Sequence, residues 1–247
     1  MPADVATHPA DLALEALLGH EGALVLAPHP DDETLGCGAL LAACFATGRA
    51  VHVAMITDGD RSHPNSSSWP ASRLARQRRQ EAQSAVRCLG GHPGDISFLG
   101  YSDCDVPHAG AALDNAARRV RSLADRLGLQ TILTTAAADP HCDHQAAARI
   151  AMAAAAPAPR LRVLFFPIWS RNSDNDMSGA GRFIMHRFPL GPFGAMKRAA
   201  LAAHESQLGQ LITDDADGFT LDPAFAERFL TEDEAFLELR DANRDAA

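Results

Sequence analysis

The stretch Ala23-Leu24-Val25-Leu26-Ala27-Pro28-His29-Pro30-Asp31-Asp32-Glu33-Thr34, running on through LGCGALLAACFAT to Gly48, decides the fold. Ala23 to Ala27 is a short apolar run and reads as a buried strand. Thr34 to Thr47 is almost wholly apolar and reads as a helix closed by Gly48. The unit recurs downstream. Strands are expected at Val51 to Thr57, Ile96 to Leu99, Thr131 to Thr135 and Leu161 to Ile168. Helices are expected between them at Pro70 to Leu89, Ala111 to Leu127 and Asp143 to Ala155. Strands that alternate with crossover helices imply an α/β fold with a mostly parallel sheet and helices on both faces.

Beyond Trp169 the alternation weakens. A polar loop leads to a short apolar segment, Phe183 to Phe188, then to a helix from about Gly194 to Leu208 and a mixed acidic tail. No repeat and no linker divides the chain. Residues 1–247 therefore read as one domain, with a core at about 23–208 and an acidic tail at 209–247. Two polar loops, 59–72 and 170–182, follow the second and fifth strands. In open α/β sheets ligands bind beyond the carboxyl ends of the strands, so both loops read as surface connections or as covers for a substrate.

Composition narrows the partners. With 22 Lys and Arg against 31 Asp and Glu, the net charge is −9, and no basic face suggests nucleic acid. The five cysteines are odd in number and widely spaced, which reads as reduced thiols in a cytoplasmic protein. The N-terminal segment lacks the features of a signal peptide, and no apolar run approaches the length of a membrane span. Nothing in the sequence speaks for or against a homo-oligomer.

The chemistry lies in two segments. Ala27-Pro28-His29-Pro30-Asp31-Asp32-Glu33 ends the first strand, and Asp139-Pro140-His141-Cys142-Asp143-His144 follows the fourth. Both lie beyond parallel strands, so they can meet at one edge of the sheet. Taken singly, Asp32 and Asp143 read as helix N-caps. Taken together, the segments supply two histidines and a carboxylate, a common catalytic zinc shell. Adjacent carboxylates repel unless a cation neutralises them, so a metal explains the acidic turn economically. Pro28 and Pro30 stiffen the turn that presents His29.

These motifs resemble those of a known family. HPDDE at His29 to Glu33 and HCDH at His141 to His144 look like the signatures of the PIG-L/LmbE-like de-N-acetylases. Further matches are TDG at Thr57 to Gly59, RRxE at Arg78 to Glu81, FLG at Phe98 to Gly100, and KxxxLxxHxSQ at Lys197 to Gln207, so the resemblance spans Leu24 to Gln207. It implies a Rossmann-like fold and Zn2+ held by His29, Asp32 and His144. It implies hydrolysis of an N-acetylglucosamine-type sugar or glycoconjugate, a small-molecule partner. Asp31 would be the general base, His141 the residue that stabilises the oxyanion and then acts on the leaving amine, and Asp143 the residue that orients His141. The chain departs from the family in having Cys142 where Pro is more usual. It also lacks a tyrosine just before the second motif, its one Tyr being Tyr101.

Arg78 falls on the apolar stripe Leu74, Ala82, Ala85 and Leu89 of its helix, so it needs a buried partner. Glu81 at i+3 is one candidate, and a substrate hydroxyl or phosphate is the other. Among the remaining histidines, His204 stands out because it lies in the family-like late segment. Three competing readings are a non-heme Fe(II) enzyme, a non-catalytic metal- or sugar-binding protein, and a dinucleotide-binding domain. The first expects a strand-rich scaffold. The second fits poorly with a complete set of ligands, base and oxyanion residue. The third lacks GxGxxG after the first strand.

Overall fold

A computed structural model of the chain describes residues 9–172 and 182–240. The elements run in the order α1 (Pro9–Leu18), β1 (Gly22–Ala27), α2 (Asp32–Thr47), β2 (Val51–Thr57), α3 (Ala71–Cys88), β3 (Ile96–Tyr101) and α4 (Gly110–Leu127). They continue with β4 (Leu129–Thr135), α5 (Cys142–Ala155), β5 (Arg162–Phe166), β6 (Phe183–Phe188), α6 (Gly194–Ala202), α7 (Pro223–Thr231) and β7 (Glu234–Leu239). The sheet order is β3-β2-β1-β4-β5-β7-β6. The first five strands are parallel, and β7 is antiparallel to both β5 and β6. This is the expected α/β fold with a mostly parallel sheet.

Every residue of β1 and β2 is buried, as befits strands covered on both faces. One face packs on α1, α2, α6 and α7 through residues such as Leu14, Leu40, Phe166, Leu201 and Phe229. The other packs on α4 and α5 through Val120, Leu123, Ile150 and Ala154. Helix α2 is buried from Asp32 to Cys44 because it lies between the sheet and a further layer. Its two glycines make that possible. A Cβ at Gly36 would lie 2.2 Å from the Phe166 ring, and one at Gly38 would lie 2.8 Å from the Lys197 stem.

Several boundaries differ from expectation, and three of the differences have a physical reason in the structure. The fifth strand stops at Phe166 because Pro167 has no N–H to donate, and the next amides, Ile168 and Ser170, donate to the Asp139 carboxylate instead. The late helix ends at Ala202, and a 3-10 turn at Glu205–Gln207 follows the buried His204. The acidic segment after 208 is no appendage, since it supplies α7 and the inserted strand β7. Its acids are partnered. Glu234 takes the buried Lys197 ammonium at 2.6 Å, Glu238 takes Arg162, and Glu232 takes Arg171. Helix α1, also outside the expected core, buries Leu14, Leu17 and Leu18.

Strand order reverses between β1 and β4, and that switch point is where an open α/β sheet leaves a crevice. The two metal-type segments emerge there. Loop 59–72 also lies at that end, fastened by Asp214 and Asp215. Of the expected covering loop 170–182, residues 173–181 lie outside the described residues. No described helix is long and apolar enough to cross a membrane.

Candidate metal and active centre

The turn after β1 is held by its neighbours. The Pro28 carbonyl accepts from Thr57 N and from Thr57 Oγ1 at 3.0 and 2.9 Å, which explains the Thr of the TDG motif. His29 N donates to Asp32 Oδ2, and Asp31 N donates to Glu33 Oε2. Asp31 has φ 132°, a region that side-chain-bearing residues rarely adopt. Such backbone costs of order 1–3 kcal/mol and persists where surrounding contacts over-determine it. The turn thus sends the Asp31 and Asp32 carboxylates into different surroundings.

The three expected metal ligands converge. Asp32 Oδ2 lies 3.3 Å from His29 Nδ1 and 3.3 Å from His144 Nε2. Two donors about 2.1 Å from a tetrahedral ion would be about 3.4 Å apart, so this spacing fits a small divalent cation. The three ring donors that gather within 4.8 Å of one another are those of His29, His141 and His144, a group that does not include Asp32. The charge distribution agrees. Burial works against charge on His144, yet Asp32 and Asp139 lift its pKa to about 9. Burial likewise opposes charge on His29, but Asp103, Asp143 and Asp32 raise its pKa well above the ordinary value. Asp32, despite burial, is held far below the usual carboxylate range by His144 and His29. The surrounding carboxylates therefore favour positive charge at this spot, which a bound cation would supply.

Two residues that sequence reasoning passed over support this set. Asp139, fully buried, meets His144 Nδ1 at 2.9 Å and accepts from Ile168 N and Ser170 N. It fixes the ring orientation that leaves Nε2 facing the donor cluster, the usual outer carboxylate of a histidine ligand. Its position two residues before His141 was a signal. Asp103, after β3, places Oδ1 3.2 Å from His29 Nε2 and accepts from Arg61 N through Oδ2. The rule that ligands sit beyond strand ends would have pointed to it.

The expected catalytic residues take these positions. Burial pushes the Asp31 carboxyl up to about 6, with Arg78 opposing and Asp32 adding to the rise. His141 caps α5, and its Nδ1 accepts from Asp143 N at 3.2 Å. That assigns the proton of the neutral ring to Nε2. Burial, and then the neighbouring His29 and His144, lower its pKa. The Asp143 carboxylate does not reach the His141 ring as expected. It accepts from Cys104 N at 2.7 Å and Val106 N at 3.4 Å and lies 3.2 Å from His29 Nε2. Its hold on His141 is through the backbone amide.

Arg78 does not pair with Glu81. It donates to Gly59 O, to Pro30 O and to Asp31 Oδ2 at 2.9, 2.7 and 3.3 Å, and its buried Nε has no protein partner among the described residues. Gly59, at φ 61°, is required by this contact, since a Cβ there would lie 2.1 Å from the guanidinium. Glu81 instead accepts from Ser206 N and Oγ, linking the RRxE and SQ motifs. His204, fully buried, meets Glu33 Oε1 at 3.2 Å, and Glu33 in turn holds Asp31 N. His204 thus supports the Asp31 turn from behind.

His29, Asp31, Asp32, Arg78, His141 and His144 line a cleft of about 400 Å³, whose wall also includes Trp169, Phe219 and Leu221. Trp169 is stacked on Phe225 with ring centroids 4.8 Å apart.

The profile of the PIG-L family, GlcNAc-PI de-N-acetylase, matches residues 24–155, more than half of the chain. The chain belongs to the PIG-L family. One curated relative, the 2'-N-acetylparomamine deacetylase of Streptomyces fradiae, is 30% identical over 148 residues. That match covers 54% of this chain and 52% of the relative, so the chain spans about half the length of the curated protein it matches. Among solved structures, the N,N'-diacetylchitobiose deacetylase of Pyrococcus horikoshii superposes with a TM-score of 0.66 at 18% identity, covering 92% of this chain and 90% of that one. A zinc-inhibited form of teicoplanin deacetylase gives 0.67 at 17% identity, covering 90% and 99%. At those identities the structural likeness speaks to the fold, and it is that of PIG-L/LmbE-like deacetylases.

Proposed function

We propose that this PIG-L protein is a zinc-dependent N-deacetylase that hydrolyses the acetamide of an amino sugar or glycoconjugate, releasing acetate and a free amine. The observation that carries the reading is a juxtaposition in one cleft at the switch point. There a donor set of two histidines and one aspartate meets a separate carboxylate, Asp31, on strained backbone. Family membership and the named activities of its relatives support the same reaction. We read 1–247 as one catalytic domain, α7 and β7 included.

His29, Asp32 and His144 would hold the ion, which when bound supplies Lewis acidity toward water and an amide carbonyl. Asp31 is the general base. Its carboxyl, pushed up to about 6, is mostly ionised at neutral pH yet basic enough to accept a proton from the attacking water. Arg78 keeps Asp31 aimed into the cleft. His141, neutral with its proton on Nε2, donates a hydrogen bond to the oxyanion of the tetrahedral adduct. Asp143 N holds that tautomer. The proton gathered by Asp31 is the one the departing amine needs. Trp169 and Phe219 offer an apolar surface to a sugar ring and limit water in the cleft.

The test is release of acetate and primary amine from a panel of N-acetylated sugars and aminoglycosides by zinc-loaded protein. His144→Ala should lose metal and turnover together. Asp31→Asn should keep its zinc by elemental analysis while turnover falls about 10²–10⁴-fold. If Asp31→Asn loses its zinc, the ligand and base roles of Asp31 and Asp32 are exchanged. A zinc-loaded protein that releases neither product from any member of the panel would overturn the activity.

A further inference from the structure

We infer a second cation site, for a thiophilic divalent ion, formed by Cys104, Cys142 and Asp143 beside the cleft. The two sulfurs and a carboxylate oxygen of Asp143 all lie within 4.8 Å of one another, and both cysteines are exposed. They come from different elements. Cys142 is the first residue of α5, and Cys104 lies in the loop after β3 with a left-handed φ of 60°. That loop is locked in place, because Cys104 N donates to Asp143 Oδ2 at 2.7 Å. Each thiol already faces a carboxylate: Cys142 Sγ is 3.7 Å from Asp143 Oδ1, and Cys104 Sγ is 3.4 Å from Asp103 Oδ1. A recess of about 230 Å³, lined by Cys104, Val106, Cys142, Asp143 and Arg149, adjoins these groups.

The donor chemistry selects the ion. Two thiolates and a carboxylate suit zinc or cadmium and not magnesium or calcium. Zinc–sulfur bonds of about 2.3 Å put two sulfurs about 3.8 Å apart, within the spread available here. Binding releases the two thiol protons and forms no covalent or redox product. An ion at this site draws on Asp143, whose amide holds His141 and whose carboxylate touches His29, so occupancy should arrest the reaction. That consequence rests on the deacetylase reading, whereas the site itself does not. The device depends on the cysteine at position 142, one of the places where this chain departs from the family pattern.

The experiment uses zinc-loaded full-length protein carrying Cys88→Ser, which removes the other exposed thiol, in a non-thiol reductant. It is titrated with cadmium and followed by ultraviolet sulfur-to-cadmium absorption and by total metal content. The expected result is one additional equivalent per chain with the charge-transfer band, and a parallel loss of deacetylation. Cys104→Ser and Cys142→Ser should each lose the band, and their turnover should resist cadmium. The site is overturned if the Cys104→Ser/Cys142→Ser double variant develops the band like its parent, or if the parent takes up no second ion. The inhibitory consequence is overturned if the second ion binds and turnover is unchanged. Should no substrate be turned over at all, the band and the metal content still decide whether the site exists.

Discussion

Asp139 and Arg78 each act on the centre through another residue, and each can be separated from a merely structural part. Asp139 holds the His144 ring and gathers two backbone amides of the β5 exit. Asp139→Asn keeps the shape but weakens the grip on His144. It should lower zinc affinity about 10–100-fold, measured by competition with a chelator, and turnover should return at high zinc. Unaltered affinity would leave Asp139 with only the loop. Arg78 bridges Pro30 O, Gly59 O and Asp31 Oδ2. Lys cannot reproduce that fork, so Arg78→Lys should reduce kcat with little change in KM, because Asp31 loses its alignment. A rise in KM at constant kcat would instead reveal a direct substrate contact through the free Nε.

At the scale of elements, loop 59–72 is fastened by acids from a segment about 150 residues further along the chain. The Asp214 carboxylate accepts from Ser66 Oγ, Ser67 Oγ and Ser68 N at 2.6, 3.2 and 2.9 Å. The Ser66 hydroxyl, then the Ser68 amide, hold its pKa below the ordinary 3.8. A carboxylate whose folded pKa is depressed contributes its fastening fully above the unfolded value and loses it as pH falls through the folded one. The loop should therefore stay fastened at neutral pH and loosen only at pH values below 3.8. Asp214→Ala should loosen it at neutral pH, raising KM and amide exchange in 59–72 while the sheet keeps its protection. Protection of that loop equal to the parent's would show that Asp214 is dispensable.

Over the whole molecule, one buried ion pair joins the late elements to the first βα unit. Lys197 Nζ meets Glu234 Oε1 at 2.6 Å, both fully buried, and Glu234 also accepts from Ala39 N and Leu40 N inside α2. Burial lowers the Lys197 pKa, with Glu234 pulling it back. Glu234→Gln strands the ammonium and should cost about 3–5 kcal/mol by chemical denaturation. Adding Lys197→Met should recover part of that loss, since contacting residues are not additive. Equal stability of the single and double variants would show that the pair does not couple β7 to α2. The same pair explains why glycine stands at position 38, because the Lys197 stem occupies the space of its side chain.

What the sequence determined by itself was local. Apolar runs and helix stops placed β1, β2, β4 and their helices to within a few residues, because each is specified by neighbours in the chain. HPDDE and HCDH were legible as motifs because each sits on a short segment at a strand end. Tertiary structure alone decided the rest. Asp103 became a partner of His29 only when the ends of β3 and β1 came to one edge of the sheet, and Asp139, though five residues from His144, met it only once the turn after β4 had closed. Arg78 passed over the nearby Glu81 for Asp31, since packing at Gly59 aims the guanidinium across the turn. The acidic segment after 208 hid β7 because it read only as a mixed acidic tail. The cationic partners of its acids, Arg162, Arg171 and Lys197, lie far away in sequence, and a pairing of that kind leaves no period for a local pattern to show.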